Sequence, residues 1–221
     1  MAEAPGTDTG GVIRGRKSRG EGGAGARRGR RAAFLAGLLL LALAARAAPP
    51  SAAAWLAPLG LRDLKGAPVE CRGRWLVVVF LGQDCPVSNA SIPVLNHLAA
   101  EFGPQGFTFV GAYVDPTADL AALRSHAADY SLAFIAADDR PHRLARLAGA
   151  TYTPEAVVFT AAGARVYDGR IDDRVGSLGA SRPAATHQDL RDVLLALAAG
   201  RPGPFKGVTG YGCAIPEAVA P

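Results

Sequence analysis

The sequence predicts an α/β protein in which a central mixed β-sheet is flanked by helices on both faces, with a C-terminal β-hairpin and helix. Two continuous apolar runs rich in β-branched residues, 75–81 and 107–114, are typical of strands buried on both faces of a parallel sheet. Two shorter runs, 156–160 and 164–170, flank a turn with a glycine and indicate an antiparallel hairpin. Parallel strand–helix–strand units followed by a hairpin and a closing helix specify this architecture.

Helices are predicted between and after these strands from apolar faces and end signals. The first lies between the two buried strands, has Ile92, Leu95, Ala99 and Phe102 on one face, and ends at Gly103. We expect Thr117 to cap the second helix. A short strand at 132–136, a helix at 140–148 closed by Gly149, and a last helix at 186–199 complete the series.

The first 47 residues predict a targeting segment that is separate from the fold. Residues 1–31 carry eight Arg or Lys against three acids, and residues 32–45 are uncharged and rich in leucine. The small-x-small pattern Ala45-Arg46-Ala47 follows, which is typical of a signal peptide cleavage site. Fourteen helical residues rise only about 21 Å, less than a hydrocarbon core of about 30 Å. We therefore expect export to the periplasm or another extracytoplasmic space, with an uncleaved membrane anchor as the alternative.

Composition limits the remaining possibilities. Of 221 residues, 49% are apolar and 19% are charged, which excludes a chain too polar to collapse. The net charge of +5 comes from residues 1–31, because residues 32–221 carry 16 basic and 16 acidic side chains. A basic groove for nucleic acid therefore has no support. We assign 48–60 to a Pro/Ala linker, 61–200 to one domain, and 201–221 to a Gly/Pro-rich tail.

Cys85 is the strongest candidate for chemistry because it links the first buried strand to the first long helix. The carboxyl end of a parallel strand is where open α/β sheets place their sites. The helix N-terminus favours a thiolate, which is the reactive form of cysteine, and Pro86 suits the first helical turn. Ser88 can donate a hydrogen bond to the sulfur, whereas the adjacent Asp84 opposes a second negative charge. We expect the ionised sulfur to reach solvent; an enclosed sulfur would leave only a structural role.

The segment Phe80-Leu-Gly-Gln-Asp-Cys-Pro-Val-Ser88 resembles the aromatic-x-x-x-x-Cys-x-x-Cys active-site segment of the thioredoxin superfamily. Thr153-Pro154, directly before a strand, resembles its cis-proline. An inserted helix after Asp115-Pro116 is similar to that of the redoxin branch, which comprises the alkyl hydroperoxide reductase and thiol-specific antioxidant (AhpC/TSA) family and periplasmic thiol–disulfide reductases. The resemblance spans about 61–199 and implies an exported thiol oxidoreductase without a cofactor.

The resemblance also implies roles for individual residues. Cys85 would be the catalytic nucleophile, with Ser88 as a further catalytic residue. The backbone of Thr153 beside Pro154 would pair with an incoming peptide, and Pro154, Pro86 and Asp84 are the other expected substrate-binding residues. Two departures limit these roles. Ser88 stands where the family has a second cysteine, so the motif C-x-x-S has no local partner thiol. Peroxiredoxins polarise the O–O bond with a Thr or Ser where Gly82 stands and with an Arg near the later strand, where this sequence has the Pro154 region, so we expect slow reduction of peroxide.

Cys213 in the tail is the candidate resolving thiol, because a flexible tail after the last helix can return to the sheet edge. A Cys71–Cys213 pair and free thiols remain alternatives, and Cys71 is interpreted as a bystander. The substrate is then a protein or small molecule with a thiol or disulfide, and an unidentified partner thiol supplies electrons. The second hypothesis is a redox-inactive module that binds a peptide or Cu(I) near Pro154. No histidine pair has metal-ligand spacing, so no other metal site is predicted.

Overall fold

A six-stranded mixed sheet forms the centre of the computed structural model, which describes residues 54–177 and 180–217. Its strand order is β1-β4-β3-β2-β6-β7. The strands are β1 (Arg62–Asp63), β2 (Trp75–Leu81), β3 (Phe107–Tyr113), β4 (Ile135–Asp138), β6 (Glu155–Thr160) and β7 (Arg165–Gly169). β2, β3 and β4 are parallel neighbours, whereas β6 runs antiparallel to both β2 and β7. The predicted mixed sheet and hairpin are confirmed.

In the described part of the chain, four α-helices and two short ribbons surround this sheet. The helices are α1 (Pro86–Phe102), α2 (Leu120–Asp129), α3 (Arg143–Ala148) and α4 (Asp189–Ala198). One ribbon pairs β5 (Tyr152–Thr153) with β10 (Cys213–Ala214), and the other pairs β8 (Val175–Ser177) with β9 (Ala180–Ser181). The β5–β10 ribbon brings the tail back to the carboxyl end of β2.

All seven side chains of β2 are buried, and they alternate between two cores. Val77, Val79 and Leu81 pack with α1, α2 and α4 on one face of the sheet, whereas Leu76 and Val78 pack with α3 on the other. A strand buried on both faces explains the uninterrupted apolar run in the sequence. It also fixes the end of β2 rigidly, and that end carries the loop with the first candidate residue.

Helix α2 begins later than predicted. Thr117 does not cap it, because its hydroxyl and N–H both bond to the Asp115 carboxylate at 2.8 and 2.9 Å. Asp119 is the N-cap and accepts a hydrogen bond from the Ala122 N–H at 3.4 Å. An Asp with a downstream Thr forms a local turn that competes with helix initiation.

Three other boundaries also differ from the predictions because polar side chains fix the backbone. The predicted strand 132–136 is shifted to Ile135–Asp138, since Asn96 binds the backbone at Ser131 and Ala133. Helix α3 starts at Arg143, where Asp139 accepts from two N–H groups of its first turn. The last helix starts at Asp189, three residues after the predicted Thr186.

The predicted targeting segment 1–47 lies outside the described residues. Within 54–177 and 180–217, no helix is both long and apolar enough to cross a membrane. Leu56, inside the predicted linker, is buried in the core on the α3 side of the sheet.

Candidate functional site

Cys85 lies at the junction that the sequence predicts, as the N-cap residue of α1. Its backbone is extended, and its sulfur accepts a hydrogen bond from the Ser88 N–H at 3.5 Å. Pro86 occupies the first turn, where a missing N–H has no helical partner to lose. The sulfur therefore takes the place that a side-chain oxygen usually fills at a helix start.

The Thr153–Pro154 peptide is cis and lies against Cys85. Strand β6 begins directly after Pro154 and pairs antiparallel with β2, which sets Glu155 opposite Phe80. The start of β6 and the end of β2 therefore lie side by side. The Cys85 Sγ–H donates to the Thr153 carbonyl oxygen at 3.2 Å across this junction.

The tail brings Cys213 to the same place. Strand β10 pairs antiparallel with β5, and the register sets Cys213 directly opposite Thr153. The Thr153 hydroxyl donates to the Cys213 carbonyl at 3.4 Å. The side chains of Cys85 and Cys213 are close enough for each to shift the pKa of the other. Both cysteines are free thiols. Two thiols that are 128 positions apart in the chain thus meet at one strand edge.

The environment shifts the pKa values of the two thiols in opposite directions. Burial alone would raise the pKa of Cys85, but hydrogen bonds from Cys213, Thr153 and Ser88 outweigh it and lower the pKa to about 7. Burial raises the pKa of Cys213, and its hydrogen bond to Cys85 and the negative charge there raise it further, to about 11. At pH 8, Cys85 is therefore mainly a thiolate and Cys213 is the thiol that donates to it.

This acidity predicts the pH dependence of Cys85 alkylation. The rate should rise with pH to a plateau with a midpoint near 7, and below it should fall about tenfold for each pH unit as the thiolate is protonated. Iodoacetamide labelling, read at the Cys85 peptide by mass spectrometry, measures the midpoint. Cys213→Ala removes a donor and should move the midpoint upward, whereas Cys71→Ser should leave it in place. A midpoint near 9 in the unaltered protein would contradict this prediction.

Cys85 is less accessible than the sequence predicts, because only 3% of its surface is exposed. The expectation of a sulfur open to solvent is wrong for the reduced protein described here. The physical reason is the tail, since β10 covers the edge of β5 beside the sulfur. The strand that encloses Cys85 on this side carries the candidate resolving thiol, Cys213. Enclosure by this strand therefore does not reduce Cys85 to the structural role that the sequence predicts for an enclosed sulfur.

The other predicted site residues divide into two groups. Ser88 is fully buried and its Oγ accepts from the Gly82 N–H at 3.3 Å, which leaves its hydroxyl proton free for the sulfur. Pro86 and Asp84 are exposed at the rim. The expected opposition of Asp84 to ionisation of Cys85 is not observed, since Asp84 is not among the groups that shift the pKa of Cys85.

Gly82 is confined by the site itself. A Cβ at this position would lie 3.0 Å from Thr153 Oγ1 and 3.1 Å from Cys85 Cβ. The hydroxyl side chain that peroxiredoxins carry here would therefore crowd both residues. In the described part of the chain, no arginine contributes to the pKa of Cys85 either.

Sequence reasoning missed a buried carboxylate beside the cis-proline. Glu155 is 7% exposed and accepts hydrogen bonds from the Thr151 N–H at 2.9 Å and the Tyr152 N–H at 3.5 Å. Burial raises its pKa. These bonds fix the backbone of β5, the strand that pairs with the tail. The only sequence signal is an acid at the start of an otherwise apolar strand.

A second missed feature is a buried polar chain behind the active-site loop. The Tyr113 hydroxyl lies 2.8 Å from His126 Nδ1, and His126 Nε2 lies 2.9 Å from Asn89 Oδ1. Asn89 Nδ2 donates to the Gln83 carbonyl at 3.1 Å, so Asn89 Oδ1 is the acceptor and His126 carries its proton on Nε2. Burial lowers the pKa of His126, which favours this neutral form. This series of hydrogen bonds connects α2 to the loop before Cys85.

Cys71 stands apart from this site, as predicted. It is 7% exposed, and its thiol donates weakly to the carbonyls of Gly73 and Trp75 at 3.6 and 3.7 Å. No group of three or more His, Cys, Asp or Glu side chains in 54–177 and 180–217 forms a metal site.

The chain matches one family model and resembles several solved structures. Residues 58–167 match the model of the AhpC/TSA family. An uncharacterized conserved protein of Geobacillus kaustophilus has 26% identity, a TM-score of 0.61, and coverage of 70% of this chain and 86% of its own. A hypothetical protein of Sinorhizobium meliloti has 24% identity and a TM-score of 0.61, with coverage of 70% of this chain and 88% of its own. A secreted disulfide oxidoreductase of Mycobacterium tuberculosis, homologous to Escherichia coli DsbE, is 27% identical, with a TM-score of 0.45 and coverage of 62% and 92%. No curated protein sequence matches.

Proposed function

Because this chain is a redoxin of the AhpC/TSA family with a thioredoxin-like fold, we propose that it is an exported thiol–disulfide oxidoreductase that works with Cys85 and Cys213. The observation that carries the proposal is the juxtaposition of the two cysteines at β5, where the pKa of Cys85 is lowered and the pKa of Cys213 is raised. Neither the family match nor the fold assigns this pair.

The first step is attack by the Cys85 thiolate on a disulfide. The Cys85 Sγ forms a bond to one substrate sulfur, the substrate S–S bond breaks, and the other half leaves as a thiolate. Ser88 and Thr153 stabilise the attacking anion beforehand through hydrogen bonds. A pKa near the working pH gives both a high thiolate fraction and good nucleophilicity.

The second step is resolution by Cys213. Once Cys85 is in a mixed disulfide, its negative charge and its acceptor sulfur are lost, so two of the three causes that raise the pKa of Cys213 disappear. Cys213 then ionises more readily and attacks Cys85 Sγ, which releases the second substrate thiolate and leaves a Cys85–Cys213 disulfide. The substrate gains two electrons and the protein loses two. A dithiol reductant must restore the pair for turnover.

Non-reducing peptide mapping tests this assignment. The protein is treated with one equivalent of glutathione disulfide under native conditions, digested, and examined for crosslinked peptides. We expect the Cys85–Cys213 crosslink, and in Cys213→Ser we expect glutathione to remain bound at Cys85. Recovery of only free Cys213 in the unaltered protein would reject the resolving role.

Export is the second part of the proposal. It is supported by the basic, leucine-rich and small-residue segments of 1–47 and by the advantage of an oxidising compartment for a disulfide mechanism. An intact mass that corresponds to a mature chain beginning at residue 48 would support cleavage. A chain of full length after secretion would point to a retained anchor.

The juxtaposed thiols also favour a second candidate function, a Cu(I)-binding module. Thiolates suit this soft ion, and the pair supplies two ligands. The acidity of Cys85 serves both candidates, so activity of cysteine variants must separate them.

A further inference from the structure

The tail segment (residues 205–215) is an ordered strap over the sheet edge. Its two ends are anchored in different cores, Phe205 on the α1 side and Ile215 on the α3 side. Between them it follows β7 and then β5. Its backbone bonds are Phe205 N–H to Val166 O (2.8 Å), Arg170 N–H to Val208 O (2.9 Å), Gly210 N–H to Tyr152 Oη (2.9 Å) and Ile215 N–H to Thr151 O (3.0 Å).

Glycines allow the strap to lie this close. A Cβ at Gly207 would be 1.5 Å from the Asp168 carbonyl oxygen, and one at Gly212 would be 2.0 Å from the Thr153 carbonyl oxygen. Both obstacles are backbone atoms, which cannot rotate away as a long side chain can. Any other residue at these positions would force the tail off the edge.

The edge under the strap is the natural docking place for an extended peptide. Without β10, the backbone of Thr151 and Thr153 would present unpaired groups next to the Cys85 sulfur, which invites addition of a strand. The tail already uses this pairing and sets its own cysteine opposite Thr153. A peptide substrate with a cysteine in the same register would need the same space.

Covalent attachment gives the tail an advantage over any peptide in solution. A tethered strand acts at an effective concentration in the millimolar range, so a free peptide must bind far more tightly or arrive in excess. Beside the strap lies a cavity of about 170 Å³, lined by Pro154, by Val87 at the start of α1, and by Gly210 and Tyr211 of the tail. Cys85 does not line it, but the cavity reaches the cis-proline, whose preceding carbonyl lies 3.2 Å from the Cys85 sulfur. A small molecule there is near the site without displacing the tail, whereas an extended segment also needs the β5 edge that the tail occupies.

We infer that the tail segment closes the peptide-pairing edge of β5, so that Cys85 takes small organic disulfides and extended protein segments gain access only when the tail is released. This inference rests on the proposed function. The chemistry is unchanged: Cys85 thiolate displaces one thiolate from the small disulfide, and no further oxidant is required for that step.

The test compares two probes with the same leaving group. One is the mixed disulfide of thionitrobenzoate with 2-mercaptoethanol, and the other its mixed disulfide with the cysteine of an extended peptide as long as the tail segment. Both release a coloured thiolate. The full chain is used with Cys71→Ser and Cys213→Ser, so that each attack at Cys85 is counted once. Gly212→Ala, alone and with Gly207→Ala, releases the tail, and exchange of the Ile215 amide reports the release.

We expect the parent protein to react with the small probe at least about tenfold faster than with the peptide, and release of the tail to reduce this preference about tenfold. Gly103→Ala is the matched control, since a Cβ there meets no atom within 4 Å, and it should keep the parent's preference.

Equal rates for both probes in the parent, or an Ile215 amide that stays protected in the double glycine variant, would overturn the tail inference and leave the proposed function intact. An unreactive Cys85 with both probes would overturn the proposed function itself.

Discussion

Cys85→Ser should lower the rate of exchange with a small disulfide by on the order of 10³-fold or more, as loss of the nucleophile does in other enzymes. A serine hydroxyl is not ionised near neutral pH and forms no stable bond to sulfur, although it can keep the hydrogen bonds to Thr153 and Ser88. The fold should therefore persist, and an unchanged melting temperature of the variant would show it. The assay follows the glutathione that is formed from glutathione disulfide, separated by chromatography from the dithiol reductant that regenerates the enzyme, because total thiol is constant during turnover.

Cys71→Ser is the matched control for that experiment, because Cys71 is a buried thiol remote from the site and should not affect the rate. Full turnover by Cys85→Ser would remove the enzyme hypothesis. If the unaltered protein exchanges no disulfide but binds Cu(I), and replacing either Cys85 or Cys213 abolishes that binding, the binding module would be established instead.

Oxidation to the Cys85–Cys213 disulfide should raise the free energy of unfolding by about 5 kcal/mol, because the crosslink closes a loop of about 128 residues in the unfolded chain. For a domain of this size, that corresponds to an increase of about 10–20 °C in melting temperature. Urea unfolding of the oxidised and reduced protein measures the difference. Cys213→Ser should show no increase after the same oxidation. Coincident unfolding curves for the two forms of the unaltered protein would contradict the crosslink.

Long elements could be predicted from the sequence because their signals are local. Strand β2 has an apolar run and helix α1 has an apolar face, and both patterns can be recognised without knowing which elements pack against them. Cys85 followed as a candidate because it lies at their junction, and Thr153-Pro154 because it immediately precedes a strand. Both predicted positions meet in the structure.

Short elements could not be predicted, because their partners define them. Strands β5 and β10 have two residues each, and no hydrophobic pattern can indicate so short a pair. A Gly/Pro-rich tail is typical of flexible chain, yet Gly207 and Gly212 are needed for close approach to other backbone atoms. The burial of Cys85 depends on that approach, so the sequence predicted an open sulfur where the structure encloses it.

Buried polar groups were missed for a related reason. Glu155 and His126 are acceptable in the interior only because specific partners satisfy them, and those partners are remote in the chain or supplied by the backbone. In the sequence alone, Glu155 and His126 appear only as interruptions of an apolar pattern. Their role in holding β5 and the active-site loop emerges only from the assembled contacts.

The crowding around Gly82 also constrains how this protein could change over evolutionary time. A threonine at position 82 would place its Cβ 3.0 Å from Thr153 Oγ1 and 3.1 Å from Cys85 Cβ, so both side chains would have to shift by a few tenths of an ångström. Removing the Thr153 hydroxyl to make room would take away a group that lowers the pKa of Cys85. The effects of substitutions at 82 and 153 therefore depend on each other.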